Sequence, residues 1–84
     1  MGFTVYILYS KSLDRYYKGQ TEDLSDRMRR HNMGYEKGTK PGIPWDLVWS
    51  AEKSTRSEAM KLERKLKNMS RAKLERFIRE HREK

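Results

Sequence analysis

The spacing of apolar positions along the chain switches between strand-like and helix-like periods, and each switch marks an element. FTVYILYS, residues 3–10, is aromatic and β-branched and predicts a strand. The polar KSLD that follows predicts a turn, and RYYKGQ, residues 15–20, a second strand paired with the first as a hairpin. From Asp23 to Asn32 the period becomes helical, with Asp23 a candidate N-cap and Gly34 placed to end the helix. GYEKGTKPGIP, residues 34–44, holds three glycines and both prolines of the chain and predicts a loop without regular structure. WDLVWSAE, residues 45–52, alternates as a third strand. Thr55-Arg56-Ser57-Glu58 has the form of a capping box. It opens a second helix with the apolar stripe Ala59, Leu62, Leu66 and Met69. Ser70 is placed to cap a third helix, whose stripe is Leu74, Phe77, Ile78 and His81. The expected architecture is α+β, in the order β-β-α-β-α-α. A small three-stranded antiparallel sheet is flanked by helices, as a single domain over residues 1–84. The last few residues are charged and expected to fray.

The inner face of the first helix carries unexpected residues. From Leu24, the i, i+3, i+4, i+7 series runs Leu24, Arg27, Met28, His31. Two of those four slots hold an arginine and a histidine. Arg27 can snorkel from a partly buried stem, and His31 near a helix end can favour the helix dipole. The second helix repeats the oddity. At about 100° per residue, Glu63 lies roughly 40° from Ala59 and 60° from Leu66 and so borders the apolar stripe. Its plain reading is an i, i+4 pair with Lys67, worth a few tenths of a kcal/mol. The hairpin strands add Tyr6, Tyr9, Tyr16 and Tyr17. Some of these rings must be core. A tyrosine hydroxyl aimed at an inward arginine and glutamate is a different object. Phenol titrates near pH 10 and is a poor base until nearby positive charge lowers its pKa. Arg27, or a metal ion held by Glu63, is the candidate source of that charge.

Composition narrows the classes. The chain has no cysteine, which excludes disulfides and thiolate metal sites. No apolar run approaches a membrane span, and a soluble cytoplasmic protein is the simplest expectation. Twenty Lys and Arg oppose twelve Asp and Glu, a net charge of +8. The excess is uneven: residues 1–53 carry nine basic and seven acidic side chains, residues 54–84 eleven and five. Such a field attracts polyanions and binds phosphate backbones by counterion release, although a solvated basic surface also keeps a protein soluble.

Thr4-Val5-Tyr6, ten intervening residues, then Tyr17-Lys18-Gly19 resembles the paired signature of GIY-YIG nucleases. The two tyrosines and the last glycine match it. The run continues through Gly19-Gln20-Thr21, Leu24, Arg27, His31 and Thr39, then Glu58-Ala59 and Glu63 followed by Leu66-Lys67. Order and spacing together make the resemblance strong over about residues 3–80. It is closest to the short single-domain bacterial members, and it extends to the N-terminal domain of the excision-repair endonuclease.

The resemblance implies a metal-dependent DNA endonuclease, with weak sequence specificity in so small a chain. Tyr6 would be the base that activates water, and Tyr17 would orient water or phosphate. Arg27 would face the scissile phosphate, and His31 would assist proton transfer or contact phosphate. Glu63 would hold one divalent cation, Mg²⁺ or Mn²⁺. Gly19 would be structural, and Lys18, Lys67 and Lys73, with Arg27, would bind DNA that is branched, nicked or single-stranded. The resemblance departs from the family near the C-terminus, where FIREHREK lacks the asparagine of several members. That departure favours the rival reading, a catalytically weak or inactive nucleic-acid binding module on the same scaffold. A third reading is an interaction protein whose charge is incidental.

Overall fold

The computed structural model describes residues 2–81. Its elements are β1 (Phe3–Ser10), β2 (Arg15–Thr21), α1 (Leu24–Asn32), β3 (Trp45–Lys53), α2 (Arg56–Lys67) and α3 (Arg71–Glu80). The α+β order β-β-α-β-α-α is the expected one. The strands form an antiparallel sheet in the order β2-β1-β3. The fraying expected of the last residues falls on 82–84, outside the described residues.

The central strand β1 has no solvent face, because Val5, Tyr6, Ile7 and Leu8 are all fully buried. Successive side chains in a strand point to opposite faces, so these four divide between two layers. Val5 and Ile7 join Ala59 and Leu66 of α2 and Leu74 and Ile78 of α3 in one apolar cluster. Tyr6 and Leu8 join Trp45 on the other face, where Leu24 and Met28 of α1 pack on them. The sheet therefore separates α1 from α2 and α3.

Local chemistry sets the ends of the elements. The side chains of Asp23, Thr55 and Ser70 each accept the backbone N–H three residues on, giving all three helices an N-cap. The reciprocal half of the capping box is absent, because Glu58 takes the Ser54 hydroxyl at 3.1 Å. Asp14 closes the β1–β2 turn at φ 54°, a backbone region that aspartate tolerates. Its carboxylate receives the Tyr9 hydroxyl and the Arg71 guanidinium, each at 2.6 Å. The hairpin tip is thereby fastened to the start of α3.

Three expectations need correction. The loop after α1 is not wholly irregular: Lys40–Gly42 form one 3₁₀ turn, with Pro41 pre-setting the backbone in its first residues. The alternation of β3 is broken by a bulge opposite Ile7 and Leu8, which lets both Val48 and Trp49 pack on the α2–α3 side. His81 does not extend the buried stripe of α3. It is exposed as the residue after the last turn, stacked on Phe77 at 4.1 Å between ring centres.

The loop is held to the sheet by Asn32. Its amide oxygen accepts the Trp45 N–H at 2.7 Å, and its amide nitrogen donates to the Trp45 carbonyl at 3.2 Å. Asn32→Ala leaves both groups without these partners at the start of β3. It is expected to destabilise the fold by about 1–2 kcal/mol, measured by urea unfolding.

Candidate active site

Tyr6 and Gly19 are direct partners in the β1–β2 register, as are Leu8 and Tyr17. Paired residues share a face, so Tyr6 and Tyr17 lie together, their ring centres 6.3 Å apart. Gly19 between them is needed for its missing side chain. A Cβ there would lie 2.7 Å from the Tyr6 hydroxyl oxygen and 3.2 Å from the Tyr17 ring. The tyrosine ring lies over bare backbone towards β2, an edge strand of the sheet.

Helix α1 covers this ring. His31 is 1% exposed, and its Nε2 lies 3.1 Å from the Tyr6 hydroxyl. Its ring is edge-on to Tyr17 at 5.1 Å between centres. On its far side Nδ1 meets the Thr39 hydroxyl at 2.9 Å. Arg27, one turn earlier in α1, lies against the Tyr6 hydroxyl closely enough to pull its pKa down. It also lines a surface hollow with Phe3, Gln20, Thr21, Glu22 and Arg56. Arg56 went unanticipated, because inside a capping box its position reads as mere helix start. Its guanidinium stands over the Phe3 ring at 5.3 Å.

Helix α2 approaches from the other face of the sheet. Glu63 is half-buried, and its carboxylate lies within electrostatic reach of Tyr6. Lys67 Nζ is 2.8 Å from it, the expected i, i+4 pair. Glu63 and Lys67 line a second hollow with Gln20, Met60, Arg64 and Asn68. Gln20 borders both this hollow and the one holding Arg27. The expected residues thus draw together across the β2 edge, from helices on opposite sides of the sheet. Lys18 and Lys73 stand apart from this cluster. Lys18 pairs with Ile7 in the register and faces a hollow with Asp14 and Arg71. Lys73 is exposed in the first turn of α3.

Burial dominates the electrostatics. It pushes the Tyr6 phenol up to about 12, and Tyr17 and Glu63 push the same way, against Arg27. The lowering expected from Arg27 is present but outweighed. Burial also lowers the pKa of His31, helped by Arg27 and Arg30 and opposed by Glu36. At neutral pH the pair is a phenol and a neutral imidazole.

The fit of a divalent cation turns on its donors. Among the described residues, no three His, Cys, Asp or Glu side chains gather into a metal-binding group. Glu63 offers one carboxylate, with the side-chain amides of Gln20 and Asn68 in the same hollow. Such a set suits a hard cation that keeps most of its waters and shares substrate oxygens, as Mg²⁺ does.

The family model described as the GIY-YIG catalytic domain matches residues 2–83. The chain belongs to the GIY-YIG family. It is 40% identical over 68 residues to the UPF0213 protein YazA of Bacillus subtilis, covering 80% of this chain and 69% of that protein. A UPF0213 protein of Staphylococcus aureus is 38% identical over 65 residues, covering 76% of this chain and 79% of that one. The solution structure of UPF0213 protein BH0048 from Bacillus halodurans is similar with a TM-score of 0.64 at 33% identity. The match covers 96% of this chain and 86% of that chain. As a family, GIY-YIG domains support a nuclease-like role and nucleic-acid binding in general terms. Among the described residues no helix is long and apolar enough to cross a membrane.

The depressed pKa of His31 has a sign that can be checked. Between its lowered folded pKa and the ordinary imidazole value of 6.5, the unfolded chain binds a proton at His31 that the folded chain does not. His31 therefore makes stability fall as pH drops from about 6.5 towards its folded pKa, and contributes no further change below that. Urea midpoints of the wild type should fall more between pH 7.5 and pH 5 than those of His31→Gln.

Proposed function

We propose that the protein is a metal-dependent endonuclease that hydrolyses phosphodiester bonds in DNA with little intrinsic sequence preference. One observation carries the reading. The hydroxyl of a fully buried tyrosine contacts an imidazole at 3.1 Å, a second tyrosine ring lies 6.3 Å away between centres, and a guanidinium and a half-buried carboxylate stand within electrostatic reach. Core packing alone does not call for that combination.

In this reading Tyr6 takes the proton of the attacking water and Tyr17 orients water or phosphate. Arg27 offers two parallel donors to the phosphate, and its charge is permanent. His31 accepts the proton that Tyr6 must first give up, because a phenol held near 12 is a donor at neutral pH. Glu63 would hold Mg²⁺ or Mn²⁺, which when bound supplies positive charge for the leaving 3′-oxygen. Arg56 joins Arg27 in one hollow and extends the phosphate-binding surface. Lys18, Lys67 and Lys73 add to the basic field that holds the backbone.

The test is a cleavage assay with Mg²⁺ and Mn²⁺ on nicked, branched, single- and double-stranded DNA. Glu63→Ala removes an ion pair whose lysine partner is 55% exposed, so it should cost less than about 0.5 kcal/mol. Cleavage should nevertheless fall by orders of magnitude while metal-free DNA binding persists. Arg27→Ala should abolish cleavage and weaken phosphate binding, and Arg27→Lys should not rescue it. Tyr6→Phe deletes only the hydroxyl, and most activity should go with it. Wild-type cleavage by Tyr6→Phe removes the base. Binding without cleavage of any substrate by the wild type leaves the binding module.

DNA affinity is expected to fall steeply with salt and to vary little with sequence. Charge reversal at Lys67 and Lys73 should weaken all duplexes about equally in fluorescence anisotropy. Affinity that ignores salt between low and physiological strength excludes the polyanion reading.

A further inference from the structure

Three buried polar groups form a directional chain behind the site. Tyr6 is 0%, His31 1% and Thr39 4% exposed, so their polar atoms are satisfied by protein partners. Their protons can be assigned by counting donors and acceptors. The Tyr6 hydroxyl has one proton, and among the described residues His31 Nε2, 3.1 Å away, is the acceptor beside it. A neutral imidazole carries one N–H, which this leaves on Nδ1. Thr39 Oγ1, 2.9 Å from Nδ1, accepts that N–H and turns its own proton to the Glu36 carbonyl at 3.3 Å. The opposite tautomer would place Nε2–H against the Tyr6 oxygen and draw the Thr39 proton away from Glu36.

Thr39 is itself fixed by the fold. Its N–H donates to the Glu36 carbonyl at 3.1 Å, and its carbonyl accepts the buried Trp45 indole N–H at 2.7 Å. Trp45 is in turn gripped through its backbone by Asn32, the residue after His31. The loop between α1 and β3 thereby presents one hydroxyl oxygen to one ring nitrogen.

We infer that Thr39 is a positioning residue: it holds His31 in the Nδ1–H tautomer, so that Nε2 stands as the built-in acceptor for the Tyr6 proton. The need for an acceptor rests on the nuclease reading above. The step is a single transfer. The Tyr6 O–H bond breaks, a His31 Nε2–H bond forms, and the pair becomes phenolate and imidazolium with no change in net charge. The Nδ1–H bond to Thr39 serves both states, so nothing behind the imidazole has to rearrange. Arg27 lies beside the resulting phenolate. The phenolate then takes a proton from the attacking water as hydroxide bonds to phosphorus. The departing 3′-oxygen is protonated from solvent, and His31 returns its stored proton to solvent as the site resets. The logic is that of a base oriented by a third group, with a neutral hydroxyl where other triads use a carboxylate.

The test uses ¹⁵N-labelled protein and long-range ¹H–¹⁵N correlations of the imidazole, which separate protonated from bare ring nitrogens. In the wild type at pH 7.5, His31 should show a protonated Nδ1 and a bare Nε2. Thr39→Ser keeps the acceptor and should keep that pattern. Thr39→Val keeps the shape and removes the oxygen, so the pattern should shift to Nε2–H or to a mixture. Cleavage should fall about ten- to a hundred-fold in Thr39→Val and recover in Thr39→Ser, with DNA affinity unchanged. A wild-type His31 protonated at Nε2 overturns the inference, and that measurement needs no variant to fold. A folded Thr39→Val that keeps the wild-type tautomer overturns it equally. If the tautomer follows Thr39 while the wild type cuts no DNA, the positioning role stands and the nuclease reading falls.

Discussion

The hydroxyl of Tyr6 is buried on the central strand and bonds to His31 at 3.1 Å, and this bond governs the elements around it. A buried hydroxyl left without a partner costs about 1–3 kcal/mol, a large share of the stability of so small a domain. The partner must come from a layer above the sheet, and α1 supplies it. Turning His31 inward fixes the rotation of the whole helix. Arg27, four residues earlier, then faces the same way, and Leu24 and Met28 fall onto Tyr6 and Leu8. The inward arginine and the inward histidine are therefore one constraint, imposed by the helical period. Gly19 completes it, because any side chain there would occupy the space of the tyrosine hydroxyl.

The sheet does not bury its two faces in the same way. The face under α2 and α3 is a conventional apolar core of Val5, Ile7, Ala59, Leu66, Leu74 and Ile78. The face under α1 is built from Tyr6, Tyr17, Trp45 and His31, ring against ring. Rings with polar ends give burial and hydrogen-bond direction together, and α1 is short. Glu63 belongs by its helix to the apolar side and by its charge to the aromatic side. Its position at the β2 edge reconciles the two. Lys67 at 2.8 Å balances the carboxylate, and its own 55% exposure keeps that balance weak.

Most of the fold could be seen in the sequence because its signals are local. Asp23, Thr55 and Ser70 mark helix starts by chemistry that acts over three residues. The apolar stripes of α2 and α3 mark the faces that are buried. His81 continues the period of its stripe, but the helix ends one residue short of it. The bulge in β3 was hidden for a different reason, since it depends on the register of a partner strand some forty residues away. The site divides along the same line. Arg27, His31 and Glu63 stood out as polar residues on apolar faces, and the family run tied them to Tyr6 and Tyr17. Arg56 and the role of Thr39 did not stand out, because neither position breaks a local rule. Only the folding of a loop against a helix gives Thr39 its partner. The two-sided approach of α1 and α2 to the β2 edge was likewise beyond reach, because periodicity reports which side of a helix is buried and not which face of a sheet it covers.

The same division bears on how the domain could use the buried Tyr6 phenol in the proposed mechanism. Burial raises the pKa of Tyr6 to about 12, and charge from Arg27 alone does not reverse it. A site that depended on bulk ionisation of this tyrosine would be nearly empty of phenolate at neutral pH. An acceptor already in hydrogen-bond contact changes the requirement. In the proposed mechanism the proton would move once, between atoms 3.1 Å apart, when positive charge arrives at the phenol oxygen. Burial also lowers the His31 pKa, which in the proposed mechanism would leave the imidazole neutral and able to accept. The aromatic face thus supplies part of the packing that holds the fold and, in the proposed mechanism, an environment that would keep Tyr6 protonated until substrate and cation bring charge to the edge of the sheet.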